Sequence, residues 1–166
     1  MFLDNRQAAM DSALEALAES LDYFYDNTSR LDDSVRSVLT PHFEARRSDV
    51  IELRRLSREL LKLLPRDADV ERDDYLWLWS RLKSFVGDND QVLLHDMLEQ
   101  EKVIMQALAR ALTHPLPDEI EPVMERIFRG CRNLIRQLYD AQQQAGQAKR
   151  SRRGRGRGRG KRTRQR

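Results

Sequence analysis

Between Gln91 and Thr113 the chain reads QVLLHDMLEQEKVIMQALARALT. Leu94, Met97, Glu101, Ile104, Leu108 and Leu112 recur at intervals of three and four, so they share one face of a helix. No glycine or proline interrupts the run, and His114-Pro115-Leu116-Pro117 stops it. One member of the apolar face is a carboxylate. An apolar stripe of this length must bury itself against other helices, so the expected fold is a bundle. A carboxylate in its seam must be paired, protonated or turned to the rim.

Working outward, the flanking segments repeat the pattern. The first runs from about Asp4 to Leu31 with the stripe Met10, Leu14, Leu17, Leu21, Phe24. The second reaches Leu64, where Pro65 ends it, and carries Leu39, Phe43, Arg46, Val50, Leu53, Leu60 and Leu64. Thr40-Pro41 reads as an internal start or a kink. A shorter helix is expected from the acidic stretch Asp69 to Asp74 through Val86, with Tyr75, Leu78, Trp79 and Leu82 on its apolar face. Gly87-Asp88-Asn89-Asp90 then breaks the chain and offers Asp90 as an N-cap. The last stripe is Ile120, Met124, Ile127, Cys131, Leu134, Leu138, with Asp118 as the expected cap and Pro122 in the first turn. No stretch alternates with period two, so no sheet is expected. The links between the first two long helices and between the last two are short. The middle link is long and holds the extra helix. That is an all-α, one-crossover four-helix bundle of ferritin-like topology over residues 1–146.

The composition divides the chain in two. It has 166 residues, 34% of them charged and 40% hydrophobic, which is too polar for a membrane protein and too apolar for a wholly disordered one. Eleven of the 30 Lys and Arg and none of the 27 Asp and Glu fall in residues 147–166. Residues 1–146 therefore hold 19 basic and 27 acidic groups, a net charge of −8. The longest apolar run, Tyr75 to Trp79, is far below the ~20 residues of a bilayer span, and the N-terminus lacks a signal-peptide pattern. The one cysteine, Cys131, permits no internal disulfide, and its place on a helical stripe makes it a buried thiol. A cytoplasmic location is the expectation.

Glu101 is the candidate polar residue of the body, with Arg46, Arg47 or Arg54 of the second helix as its partner. The alternatives are a solvated carboxylate at the rim or residual metal binding. His95 and Glu99 share a surface face, and Trp77 and Trp79 fit packing better than a ligand box. The body has no Gly-rich phosphate loop. No catalytic residue, metal site or cofactor is expected, so the body does not read as an enzyme.

The string Leu78-Trp79-Ser80-Arg81-Leu82-Lys83-Ser84-Phe85, then Gly87-Asp88-Asn89-Asp90, then Leu94 through Glu99-Gln100-Glu101, resembles small bacterial ferritin-like bundle proteins over about residues 5–145. The resemblance implies the fold more than an activity. Relatives of this kind often house a two-metal centre built from two Glu residues and two Glu-x-x-His motifs. Here Leu39, Val92 and Ala111 stand three residues before His42, His95 and His114, so no such motif exists. Glu44 and Glu52 are followed at that spacing by Arg47 and Arg55, which cannot ligate a metal. Only Glu101 matches a central ligand, and a carboxylate–guanidinium pair would then stand where the relatives hold metal.

The functional signal lies in the basic segment. Lys149, Arg150, Arg152, Arg153, Arg155, Arg157, Arg159, Lys161, Arg162, Arg164 and Arg166 are interleaved with glycine and read as a disordered Arg-Gly tail over 147–166. Guanidinium groups grip phosphate oxygens bidentately and stack on bases. The expected partner is nucleic acid, DNA or RNA, bound without sequence preference, because the tail has neither an aromatic nor a rigid reading element. Arg-Gly segments resemble those of RNA-binding proteins, and basic tails on ferritin-like shells resemble those of DNA-binding ferritin relatives. Competing partners are the acidic body itself, another acidic protein, or an anionic membrane surface. A homo-oligomer would multiply avidity.

Overall fold

A computed structural model describes residues 3–64 and 89–157. Four long helices make up almost all of it: α1 Asn5–Asn27, α2 Asp33–Leu60, α3 Asn89–Leu112 and α4 Glu121–Arg157. A single 3-10 turn, Thr28–Arg30, joins the first two, and no strand occurs among the described residues. No described helix is long and apolar enough to cross a membrane. The expected helix from Asp69 to Val86 lies outside the described residues.

The helices pack as a ring in which α1 neighbours α2 and α3, and α4 neighbours α2 and α3. Individual contacts fix the directions. Gln7 Nε2, at the start of α1, donates to Leu61 O just past α2 at 2.8 Å. Tyr23 and Asp96 join the late part of α1 to the early part of α3. Arg126, early in α4, reaches Asp49 and Glu52 in the second half of α2. A Cβ on Gly146 would lie 3.9 Å from Gln91 at the start of α3. Every neighbouring pair is thus antiparallel, and α2 and α3, both opposed to α1, run parallel to each other across the diagonal.

One core fills the ring. Met10, Leu14, Leu17, Leu21 and Phe24 meet Leu39, Phe43, Val50 and Leu53, together with Leu94, Met97, Ile104 and Leu108 and with Ile120, Met124, Ile127, Leu134 and Leu138. These are the stripes read from spacing. Phe24 and Phe43 stack with centroids 4.0 Å apart and planes within 5°.

The start of α1 carries a capping box: Asp4 accepts from Gln7 N at 2.7 Å while Asp4 N donates to Gln7 Oε1. Pro41 neither starts nor ends a helix, because α2 begins eight residues earlier and runs through it. Thr40 Oγ1 donates to Arg36 O at 2.8 Å, one turn back.

The helix ends depart from the sequence reading. α2 stops at Leu60, and Lys62 adopts the left-handed region at φ 57°. Leu61 N and Leu63 N both donate to Ser57 O, which closes the end in the manner of a left-handed C-cap. Leu61 and Leu63 are buried there, while the expected Leu60 and Leu64 are exposed, Leu64 by 71%. In α3 the seam closes on Ala111 instead of Leu112, which is 41% exposed. The alternation of three and four from Leu94 through Leu108 continues with a step of three, which lands on Ala111. α4 begins at Glu121 and not at Asp118: Ile120 N closes a turn onto Pro117 O, and the Ile120 side chain is fully buried.

At Gly146, the expected start of the tail, α4 continues without a break and its helical backbone extends to Arg157. Gln, Ala, Lys and Arg are strong helix formers, and cations near a helix C-terminus suit its dipole. Ser151 Oγ also donates to Ala148 O at 2.9 Å within the segment. The remainder of the expected tail, 158–166, lies outside the described residues.

Candidate functional site

At mid-height each of the four described helices contributes one polar group to a single layer: Ser20 from α1, Arg46 from α2, Glu101 from α3 and Cys131 from α4. The helical phase of each position aims it inward. Arg46 Nη1 donates to Glu101 Oε1 at 2.5 Å and Nη2 donates to Oε2 at 2.6 Å, a bidentate pair. The outer donors of the fork are also used, Nη1 to Ser20 Oγ at 3.1 Å and Nη2 to Cys131 Sγ at 3.3 Å. Ser20 in turn donates to Leu17 O at 2.9 Å. The guanidinium lies over the Phe43 ring, 5.4 Å from its centroid. Glu101 is 1% exposed and Arg46 5%.

Of the three arginines offered by the sequence, Arg46 meets Glu101; Arg47 and Arg54 are exposed on the outer side of α2. A solvated Glu101 at the rim is overturned by its burial. Burial pulls the Arg46 pKa down, but the Glu101 carboxylate more than offsets it, and the guanidinium stays cationic. The Cys131 thiol is pushed up to about 12, chiefly by burial, with Arg46 opposing and Glu101 adding to the rise. Cys131 is therefore a neutral thiol at physiological pH and a poor nucleophile. The layer as a whole is electrically neutral.

This donor set does not fit a two-metal centre. One carboxylate is present, both of its oxygens are held by a guanidinium, and that guanidinium fills the middle of the layer. Among the described residues no group of three or more His, Cys, Asp or Glu is arranged to hold a metal ion. His95 and Glu99 are both exposed, and Glu99 pairs with Lys102 at 2.6 Å.

A second polar feature runs along α1. Asp11, Glu15, Glu19, Asp22 and Asp26 follow steps of four, four, three and four, and fall within ~80° of the helix circumference. The same spacing is present in the sequence, beside the apolar stripe. Burial raises the Glu19 pKa, and the charges of Glu15 and Asp22 raise it further. Close by, Tyr23 OH donates to Asp96 Oδ2 at 2.8 Å. Burial raises the Asp96 pKa, with the Tyr23 hydrogen bond and His95 pulling it back.

An acid whose folded-state pKa is raised favours folding when protonated. Its contribution is complete below the unfolded pKa and is lost as pH rises through the folded value. Glu19→Gln is accordingly expected to stabilise the bundle at pH 7 by about 0.4–1 kcal/mol, the relief of two like-charge pairs at helical spacing. The gain should vanish as the pH is lowered through the Glu19 transition. Thermal unfolding of parent and variant at pH 7 and pH 5 measures both.

Of the basic residues, Lys149 and Arg150 are exposed on the last part of α4. Arg152, Arg153, Arg155 and Arg157 continue its helical backbone. Arg159, Lys161, Arg162, Arg164 and Arg166 lie outside the described residues. The acidic stripe belongs to α1 and the cations to α4, two helices that sit across the diagonal of the ring. The chain matches no protein-family model, no curated protein and no solved structure.

Proposed function

We propose that this protein is a non-catalytic helical bundle that holds nucleic acid, DNA or RNA, through its Arg-Gly segment without reading sequence. The observation that carries the reading is the separation of charge. Eleven cations and no acid occupy residues 147–166, while residues 1–146 have a net charge of −8. The basic segment attracts polyanions, and the acidic body repels them, which confines contact to the segment. Contacts made to phosphate position a protein without specifying bases.

The parallel course of α2 and α3 supports the one-crossover, ferritin-like reading of the fold. In that reading the Arg46–Glu101 pair stands where relatives hold metal, and the body serves as a rigid carrier in the cytoplasm. The experiment is a gel-shift comparison of the full chain with a chain ending at Gly146, five residues beyond Ala141, the last buried side chain of α4 among the described residues. Retardation by the full chain and none by the shortened one is expected. Equal retardation by both would overturn the reading.

A further inference from the structure

We infer that the projecting end of α4, residues 147–157, is a preformed docking helix and that its partner is the major groove of duplex DNA, a deepening that rests on the nucleic-acid reading above.

From the layer of Arg46 and Glu101, α2 and α3 run back only 13 and 12 residues to their starts, whereas α4 runs forward 26 residues from Cys131 to Arg157. At ~1.5 Å per residue the others reach ~20 Å and α4 reaches ~39 Å, and counted from the Gly146–Gln91 contact α4 outruns α3 by roughly 14 Å. Gly146 already lies beside Gln91, the third residue of α3. The eleven residues that follow pass beyond the end of that helix.

Their chemistry narrows the partner. The segment reads QAKRSRRGRGR, with six cations and Ala148 as its only apolar side chain. It has no stripe to bury in a lipid interface or against another helix. The six cations lie between Lys149 and Arg157, a rise of ~12 Å, and a DNA duplex presents about seven phosphates over that length. A helix ~10–12 Å across fits the ~12 Å major groove of B-form DNA. The major groove of duplex RNA is too deep and narrow to admit one. Neighbouring arginines repel and Gly154 and Gly156 weaken the helix, so phosphate contact, which cancels the repulsion, also stiffens it.

The test uses the full chain and three probes of one mixed sequence: a DNA duplex, its single strand and the corresponding RNA duplex. Ser151→Pro keeps every charge and lies ten residues past Ala141, the last buried side chain among the described residues, so it breaks the projecting helix away from the described core. It is expected to weaken binding to duplex DNA by about tenfold, because the helix must then be ordered at the expense of affinity, and to leave the single strand unchanged. The double variant Gly154→Ala/Gly156→Ala should tighten duplex binding several-fold and raise the helical circular-dichroism signal. Duplex binding unaltered in both variants, or RNA duplex bound more tightly than DNA duplex, overturns the docking helix while leaving the charge-based reading standing. Failure of the parent chain to bind any of the three overturns both.

Discussion

Replacing Glu101 by leucine is expected to destabilise the bundle by about 3–5 kcal/mol, the penalty for leaving one partner of a buried ion pair uncompensated. For a chain of this size that is a fall of roughly 10 °C in Tm. The loss follows from geometry. Arg46 is 5% exposed, and without the carboxylate it keeps only the Ser20 hydroxyl, the Cys131 sulfur and the Phe43 face. A guanidinium cannot shed its proton to escape, so the penalty should hold at every accessible pH. Arg46→Met strands a carboxylate instead, which can take up a proton. Its folded-state pKa would then be raised, and by linkage the variant should recover stability as pH falls. The double variant Arg46→Met/Glu101→Leu removes both charges and should return close to the parent, or exceed it. Chemical denaturation of the four proteins at pH 7 and pH 5 measures the whole cycle. Single variants within about 1 kcal/mol of the parent would mean that the pair is solvated and worth no more than a surface salt bridge.

The second large effect is the response to salt. If about eight of the eleven cations in 147–166 engage phosphates, log affinity should fall against log salt with a slope near −7. Raising salt from about 50 to 200 mM then weakens binding on the order of 10⁴-fold. A binding curve indifferent to salt would point to a contact other than arginine on phosphate. The slope also counts engaged groups, so each engaged arginine replaced by glutamine should make it shallower by about 0.9.

Much of this architecture was written in residue spacing. The stripes through Phe24, Phe43, Met97 and Leu134 are core because three-and-four steps permit little else. A carboxylate in phase with Leu94 and Leu108 pointed to a buried partner, and an arginine in phase with Phe43 and Val50 met it. Ser20 sits between Leu17 and Phe24 at the same spacing, and a hydroxyl there was a legible sign of a polar layer.

The ends were less legible, because they depend on backbone geometry more than on periodicity. At the end of α2, Leu61 and Leu63 are buried in place of Leu60 and Leu64, and the left-handed turn falls on a lysine, which gives no glycine-like warning of it. The continuation of α4 past Gly146 was hidden by a composition that also suits an unfolded chain. There the intrinsic helix preference of Gln, Ala, Lys and Arg competes with glycine and charge repulsion. That balance is close, and for the same reason a bound polyanion can shift it.

The proposed division between an acidic body that takes no part in binding and a basic segment that holds nucleic acid is tested most directly by following backbone amide signals of the full chain as DNA duplex is added. Shifts are predicted from Gln147 onward, with the amides of Ser20, Arg46, Glu101 and Cys131 unmoved. Shifts centred on the bundle, or a spectrum that ignores the duplex at low salt, would contradict the account.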